Sequence, residues 1–439
     1  MKKTVYIYNS SCIQLVCLRV LTNQLHGRNP FITTSHTAPM SIPPSMSRRK
    51  INVLSPVTLS EELIIEVLSL LKVKPLIRFK CVSKSWYSLI SNPFFIKKHL
   101  LKSSQNPHLS IFATHSSRNS IHTTLAPLPI RYLQEITDVN DITSYIDKQY
   151  HEVVGCCNGL LCLLYKSSFN NEYLEYSFAF WNPATWSSSV KLGSFCISPK
   201  EPNSHFNLSL GYDNLTAKHK LVAFRPNEVK VFTLGVNVWR NIQTFPSYPS
   251  HLCLVGQNCG VYLNNSLNWF AFQNNVCSNH HLEFIEQFVI ISLDLGMETY
   301  TQLLLPHDFD EAHPHMPMVC VLMDCLCFTH HSEGNNFVIW KMREFAVEES
   351  WTKLLKFSYK DQLDDFSDFS VSLFPLHVFQ NGDTLIYVRY QGQIICYNRR
   401  DSTIDQTRTT NKIDRFFKLS NMTCRVLPNH YVESLVSTC

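Results

Sequence analysis

Two hydrophobic periods divide the chain. Between residues 58 and 101 apolar residues recur at helical spacing, and from about residue 150 they come in short runs broken by turn residues. Thr58-Leu-Ser-Glu61 fits a capping box, in which a hydroxyl caps a helix whose third residue is acidic. Leu63, Ile64, Val67, Leu68 and Leu71 follow on one stripe. Lys72-Val-Lys-Pro75 ends that helix, and Pro75 suits the first turn of the next, where a missing N–H costs nothing. Leu76, Phe79, Cys81 and Val82 continue the pattern. Ser83 is a second N-cap, ahead of a stripe of Trp86, Leu89 and Ile90. Asn92-Pro93 stops it, and Phe94, Phe95 and Ile96 open a last segment reaching about Leu101. Helices this short bury little surface, so the unit is marginal alone and leans on a partner or a neighbouring domain.

The remainder reads as strands. A hairpin recurs: Gly155–Leu164 around Asn158-Gly159, Leu210–Phe224 around Asp213-Asn214, Val261–Phe272 around Asn264-Asn265, Val319–His330 around Asp324, and His377–Tyr390 around Asn381-Gly382. Asn-Gly suits the type I′ turn that matches strand twist. An outer pair follows each hairpin: Phe178–Pro183 into Thr185-Trp186, Val229–Leu234 into Trp239, Phe288–Leu293 into Tyr300, Phe337–Met342 into Trp351, and Ile394–Asn398 into a polar return. Four strands per roughly 45 to 60 residues is the period of propeller blades. Leu109–Pro129 supplies a further unit, and the tail Phe416–Val436 a strand that closes the ring. The expectation is a propeller-like domain of about six blades, with a two-sheet β-sandwich as the alternative.

Composition fits a chain of two globular units. It has 439 residues, of which 45% are hydrophobic and 17% charged. The excess of cations, 39 − 34 = 5, is too small to argue for nucleic acid. Many of the 16 cysteines sit inside apolar runs, as reduced thiols do in a cytosolic or nuclear protein. No acidic residue precedes Glu61, while Lys2, Lys3, Arg19, Arg28, Arg48, Arg49 and Lys50 are basic. That composition is shared by transit peptides and by disordered extensions, and the second reading is preferred. Gln14 and Arg19 interrupt Ile13–Leu21, so it is no membrane span. The organisation is a basic, disordered extension over 1–54, a helical module over 55–101 and a β domain over 105–439.

No catalytic motif is present: there is no G-x-S-x-G, P-loop, G-x-G-x-x-G or H-E-x-x-H. Cys325 and Cys327 would share a strand face, but His330 points the other way and the spacing with Cys320 and His331 is not that of zinc. His307, His313 and His315, with Asp308, Asp310 and Glu311, read as a solvated loop, as do Asp361, Asp364, Asp365 and Asp368. No cofactor and no metal is expected. Trp181, Trp186, Trp239, Trp269, Trp340 and Trp351 recur at equivalent places, as aromatics packed between blades do.

The run LSEELIIEVLSLLKVKPLIRFKCVSKSWYSLISNPFFIKKHL resembles the F-box of plant F-box proteins. Two positions depart from the pattern: Ser60 stands where the family usually has Pro, and Lys72 where a second Leu-Pro pair is common. VVGCCNGLLCLL, FAFWNPAT, LGYDNLTAKHKLVAF, VYLNNSLNWFAF and ISLDLGMETYTQLLLP resemble the F-box-associated domain that follows, and Tyr431–Val436 resembles its closing strand. The Kelch label given to such proteins fits less well, since no Gly-Gly doublet occurs.

The resemblance implies a non-catalytic substrate receptor of an SCF-type ubiquitin ligase. Its F-box would bind a Skp-type adaptor, and through it a cullin, with the β domain holding an unknown substrate protein. Nucleic acid and membrane are not implied partners, and the location is cytoplasmic or nuclear. Carried over by position, Leu59, Leu63, Val67, Leu76, Val82 and Trp86 are the candidate adaptor contacts, some of which serve the module's own core. Lys72, Lys74, Arg78, Lys80 and Lys84 either steer an acidic adaptor or solvate the module. The alternative is a propeller that binds a small molecule or glycan behind a degenerate F-box. Loops at 196–206, 273–286, 306–317 and 359–370 are the expected carriers of specificity, being long for connections between repeats.

Overall fold

The computed structural model describes residues 60–105, 108–117, 120–129, 147–148, 152–169, 173–198, 205–247, 249, 260–272, 288–309, 317–332, 336–359, 373–388, 393–405, 423–426 and 431–438. The expected extension over 1–54 lies outside them. The chain divides into two compact units between Lys102 and Ser103.

Among the described residues four helices lead the chain: α1 Glu61–Ser69, α2 Val73–Lys80, α3 Lys84–Ser91 and α4 Pro93–Ser103, the last ending at the division. Their starts follow local chemistry. Ser60, not Thr58, caps α1, its hydroxyl accepting the Leu63 N–H at 3.4 Å; Thr58 lies outside the described residues. Ser83 caps α3 through the Trp86 N–H at 3.2 Å. Asn92 turns the chain and accepts the Phe94 N–H at 2.8 Å, with Pro93 in the first position of α4.

The described residues of the second unit form six antiparallel sheets, as expected of the propeller and not of the two-sheet sandwich kept as its alternative. The second sheet holds Glu152–Cys157, Leu160–Phe169 and Tyr173–Asn182, with Ser187–Ser188 and Leu192–Ile197 both on its third strand. The third holds Asn207–Asp213, Lys218–Arg225, Glu228–Thr233 and Trp239–Ile242; the fourth Val261–Leu263, Ser266–Phe272, Phe288–Asp294 and Tyr300–Leu304. The fifth holds Met318–Leu322, Cys325–Ser332, Asn336–Met342 and Trp351–Ser358; the sixth Leu373–Val378, Thr384–Val388, Gln393–Asn398 and Thr403–Asp405. From the second sheet to the sixth, the first strands neighbour one another in chain order.

The first sheet joins both ends of the domain. His108–Ser117 pairs with Ser120–Pro129 on one side and with Thr423–Val426 on the other, Ile111 opposite Val426. The closing strand therefore falls inside the expected tail but ahead of Tyr431–Val436. That last segment is not a sheet strand; it packs against the second sheet. Buried Asn182 holds it, donating through Nδ2 to the Ser434 and Val436 carbonyls at 3.0 and 2.9 Å. Its Oδ1 accepts the N–H groups of Ala184 and Thr185. Gly159 is required twice over. Its φ is 80°, and a Cβ there would lie 2.6 Å from the Val432 carbonyl oxygen.

Turn chemistry sets the register. Asn158-Gly159, Asn264-Asn265 and Met323-Asp324 all have positive φ, as a type I′ turn demands. Asp294 and Asn398, like Asn182, end a third strand and accept two N–H groups of the following turn. Most strands are apolar on both faces, because each sheet is covered on both sides. Leu210, Phe178 and Phe232 fill the seam between the second and third sheets, and Phe224, Phe245 and Trp269 the next. Phe270, Phe328, Trp340 and Trp351 fill the fourth-to-fifth seam, and Phe337, Phe357 and Tyr397 the fifth-to-sixth. Trp186 breaks the expected pattern. The turn fixed by Asn182 puts it at φ 60° and leaves it exposed.

Buried polar groups also bridge seams. His219 of the third sheet lies 3.1 Å from the Cys157 carbonyl of the second, to which its Nε2 can donate. Burial pushes its pKa down to about 4, outweighing that hydrogen bond. Lys220 of the third sheet contacts Asp213 at 2.9 Å and Glu298 of the fourth at 3.1 Å.

Asn182→Ala removes the tie on the C-terminal segment and leaves buried carbonyls unpaired, so a loss of about 2–3 kcal/mol in urea unfolding is expected. His219 stays neutral when folded but protonates near pH 6.5 when unfolded, so its contribution falls as pH drops from about 6.5 to about 4. The parent should lose roughly 3 kcal/mol across that window. His219→Gln, which keeps a donor for Cys157, should remove that part of the slope.

Candidate functional site

The helical module has a small core and a large apolar surface. Leu68, Leu71, Val73, Leu76, Ile90 and Phe95 are buried, as is His99, whose ring nitrogen lies 2.8 Å from the Leu71 carbonyl beyond the end of α1. Beside the buried Leu68 and Leu71, Leu63, Val67 and Leu70 form a second stripe at i, i+4 and i+7. Leu63 is 53% exposed, Leu70 is exposed and Val67 half-buried. Trp86 of α3 is half-buried and meets Phe79 of α2 edge-on, with ring centroids 5.3 Å apart. Val82, between those helices, is exposed, and Tyr87 lies outside with the Lys80 ammonium 5.8 Å from its ring. Burial lowers the Lys80 pKa.

The six sequence candidates thus divide. Leu63 and Val82 offer exposed surface, Val67 and Trp86 offer part of theirs, and Leu76, with 0% exposure, belongs to the module's core. Leu59 lies outside the described residues. Sequence reasoning passed over Leu70, Tyr87, Phe94 and Leu101, all exposed. Leu70 was legible, since it extends the Leu63–Val67 spacing by one turn.

Charge on the module is one-sided. Residues 60–103 carry eight Lys and Arg against three Glu, a net of 8 − 3 = +5. Lys72, Lys74, Arg78 and Lys84 are exposed, whereas Glu66 is engaged by Lys98. An acidic surface would be drawn to a module of this charge.

On the propeller, antiparallel strands send their connections alternately to two ends. In the second to sixth sheets the first-to-second and third-to-fourth connections are short and lie at one end. The four expected recognition loops all leave from the other end. Most of their residues, including all of 273–286, lie outside the described residues, as do the acidic run from Asp361, His313 and His315. Among the described residues no three His, Cys, Asp or Glu side chains gather as metal ligands. Cys320 stands opposite Cys327 in register, both buried in an apolar cluster. Burial raises the pKa of Cys320, as it does those of Cys157 and Cys162, which makes these thiols poor nucleophiles.

Residues 58–98 match the F-box domain, and residues 110–438 match the F-box associated beta propeller domain. An F-box/kelch-repeat protein of Arabidopsis thaliana is 28% identical over 69% of this chain and 80% of its own length. The F-box protein CPR1 of the same plant is 26% identical over 71% of this chain and 75% of its own, and another of its F-box proteins 25% identical over 78% of each.

Leu76→Ala should destabilise the helical module by about 2–4 kcal/mol, whereas Leu63→Ala should stay within about 0.5 kcal/mol of the parent. Hydrogen exchange of the α1–α4 amides in the full chain distinguishes the two.

Proposed function

The chain belongs to the F-box proteins that carry an F-box-associated β-propeller domain, and on that premise we propose that it is the substrate-receptor subunit of an SCF-type ubiquitin ligase. The F-box would dock on a Skp-type adaptor, which connects to a cullin. The propeller would hold a substrate protein within reach of a ubiquitin-loaded enzyme. The chain then acts by raising effective concentration and contributes no catalytic group.

The observation that carries this reading is the surface of the helical module. Leu63, Val67 and Leu70 on α1, with Trp86 and Val82, leave apolar surface uncovered on a unit too small to waste it. Large anchors of this kind are what interface hot spots are made of. The departure at Ser60 is compatible with docking, because its hydroxyl supplies an N-cap acceptor that proline lacks. At Lys72 the start of α2 has no side-chain cap, and its exposed ammonium adds to the module's positive charge. Cytoplasm or nucleus suits the buried thiols. No helix among the described residues is long and apolar enough to cross a membrane.

Co-expression with a Skp-type adaptor should give stoichiometric co-purification. Leu63→Asp with Trp86→Ala should reduce capture at least tenfold, and Leu63→Asp alone, which changes an exposed residue, should weaken it without unfolding the module. A parent chain that fails to retain the adaptor contradicts the proposal.

A further inference from the structure

The dipeptide Asn-Gly occurs twice in the chain, at Asn158-Gly159 and Asn381-Gly382, and each time between the first and second strands of a sheet. It is the pair most open to attack of the main chain on an asparagine side chain, because glycine has no Cβ to shield its own nitrogen. With the dipeptide held constant, the surroundings decide which copy reacts.

We propose that Asn381 is a site of spontaneous deamidation in the folded protein, and that Asn158 is protected for as long as the C-terminal segment stays in place.

The step needs only water. The Gly382 backbone nitrogen loses its proton to hydroxide and attacks Asn381 Cγ. The Cγ–Nδ2 bond breaks, and the amide leaves as ammonia after taking a proton from solvent. The product is a five-membered succinimide. Water then adds to one of its two carbonyl carbons and opens the ring at that C–N bond, which gives aspartate or isoaspartate. One water is consumed, one ammonia is released and no atom changes oxidation state.

The Asn381 turn can open by itself. Gln380 and Asn381 are exposed at its tip. The Gly382 N–H closes the turn on the Phe379 carbonyl at 2.9 Å, with Gly382 at φ 87°. Asn381 Nδ2 donates to Asp383 Oδ2 at 2.7 Å, and Asn381 Oδ1 accepts the Asp383 N–H at 3.1 Å. The Arg399 side chain that crosses Gly382 is itself exposed. The hydrogen bonds that restrain Asn381 and the Gly382 nitrogen therefore lie within five residues at the surface. Breaking them disturbs no buried seam, and openings of this kind belong to the low end of local unfolding free energies.

The Asn158 turn cannot. Gly159 is buried and Asn158 half-buried. The Gly159 N–H donates to the Cys156 sulfur beneath it. Ser434 and Val432 lie against Gly159, and Asn182 holds that segment by its Ser434 and Val436 carbonyls. To free the Gly159 nitrogen, the segment anchored by buried Tyr431 and Leu435 has to lift, which is a far larger opening.

Conversion changes the sixth sheet. A carboxylate at position 381 would face Asp383 Oδ2 where an N–H donor stood, and like charges at that distance repel. Asp383 Oδ1 also accepts the Arg399 N–H from the sheet's other short turn, so the two tips would lose their common anchor. Isoaspartate adds a methylene to the main chain of the turn that sets the hairpin's register.

The test incubates the purified full chain at mildly alkaline pH, beside a urea-unfolded sample, and reads both asparagines by peptide mass spectrometry. Unfolded, the two should convert at comparable rates. Folded, Asn381 should convert at least tenfold faster than Asn158. Asn182→Ala, which loosens the segment over Gly159, should speed conversion at Asn158 and leave Asn381 unchanged. Asn381→Gln, whose longer side chain closes a ring far less readily, should suppress the mass change in its own peptide. Hydrogen exchange in the parent reads the openings without the chemistry, and the Gly382 amide should exchange well ahead of the Gly159 amide. The proposal is overturned if Asn381 survives in the folded chain while the unfolded sample converts, or if the two sites convert equally fast when folded. It is also overturned if Gly159 exchanges as fast as Gly382, or if Asn182→Ala leaves Asn158 as protected as in the parent.

Discussion

Ring closure is the constraint on which the β domain depends. A four-stranded sheet with two apolar faces has no stable existence alone, because each face must be covered by a neighbour. Seams filled by Phe178 and Phe232, by Phe224 and Trp269, by Phe270 and Phe328, and by Phe357 and Tyr397 meet that need in succession. The series is completed only when Thr423–Val426 pairs with His108–Ser117, joining residues from the two ends of the domain in one sheet. Such a contact is costly in loop-closure entropy and belongs to the non-local class that slows folding. The segment from Tyr431 to Thr438 then secures the closed ring through Asn182 and the notch at Gly159.

The two units solve opposite problems. In the propeller, packing and turn chemistry fix the scaffold, and variation is left to the connections and turn tips. Asp213, Asp294 and Asn398 hold those tips by accepting backbone N–H groups, so a side chain there can change without altering the turn. The helical module has the reverse arrangement. Its few buried residues, Leu68, Leu76, Ile90 and Phe95 among them, are matched by as many exposed apolar ones. A partner that covered Leu63, Val67 and Leu70 would complete its core. Partner binding and module stability are then coupled, since whatever binds the folded module alone also stabilises it.

Much of this was legible in the sequence because short-range chemistry set it. Asn158-Gly159, Asn264-Asn265 and Asn381-Gly382 located hairpins, their spacing announced the six-sheet repeat, and Ser83 and Pro93 marked helix starts. Misplaced features depended on alternatives close by. Ser60 displaced Thr58 as the cap of α1, and the turn set by Asn182 turned Trp186 outward. Long-range features left no local trace. Lys220 finds Glu298 78 residues away, and Asn182 finds Ser434 252 residues away. Leu76 and Leu63 look alike in a helical pattern, and only packing separates a core residue from a surface one.

The most direct measurement is calorimetric titration of the purified full chain with a Skp-type adaptor at several temperatures. A one-to-one complex with a clearly negative heat-capacity change is predicted, because the exposed stripe on α1 and the Trp86 corner would leave water on binding. Absence of a complex, or a complex whose heat-capacity change is near zero, would contradict the claim that this apolar face is an adaptor-docking surface.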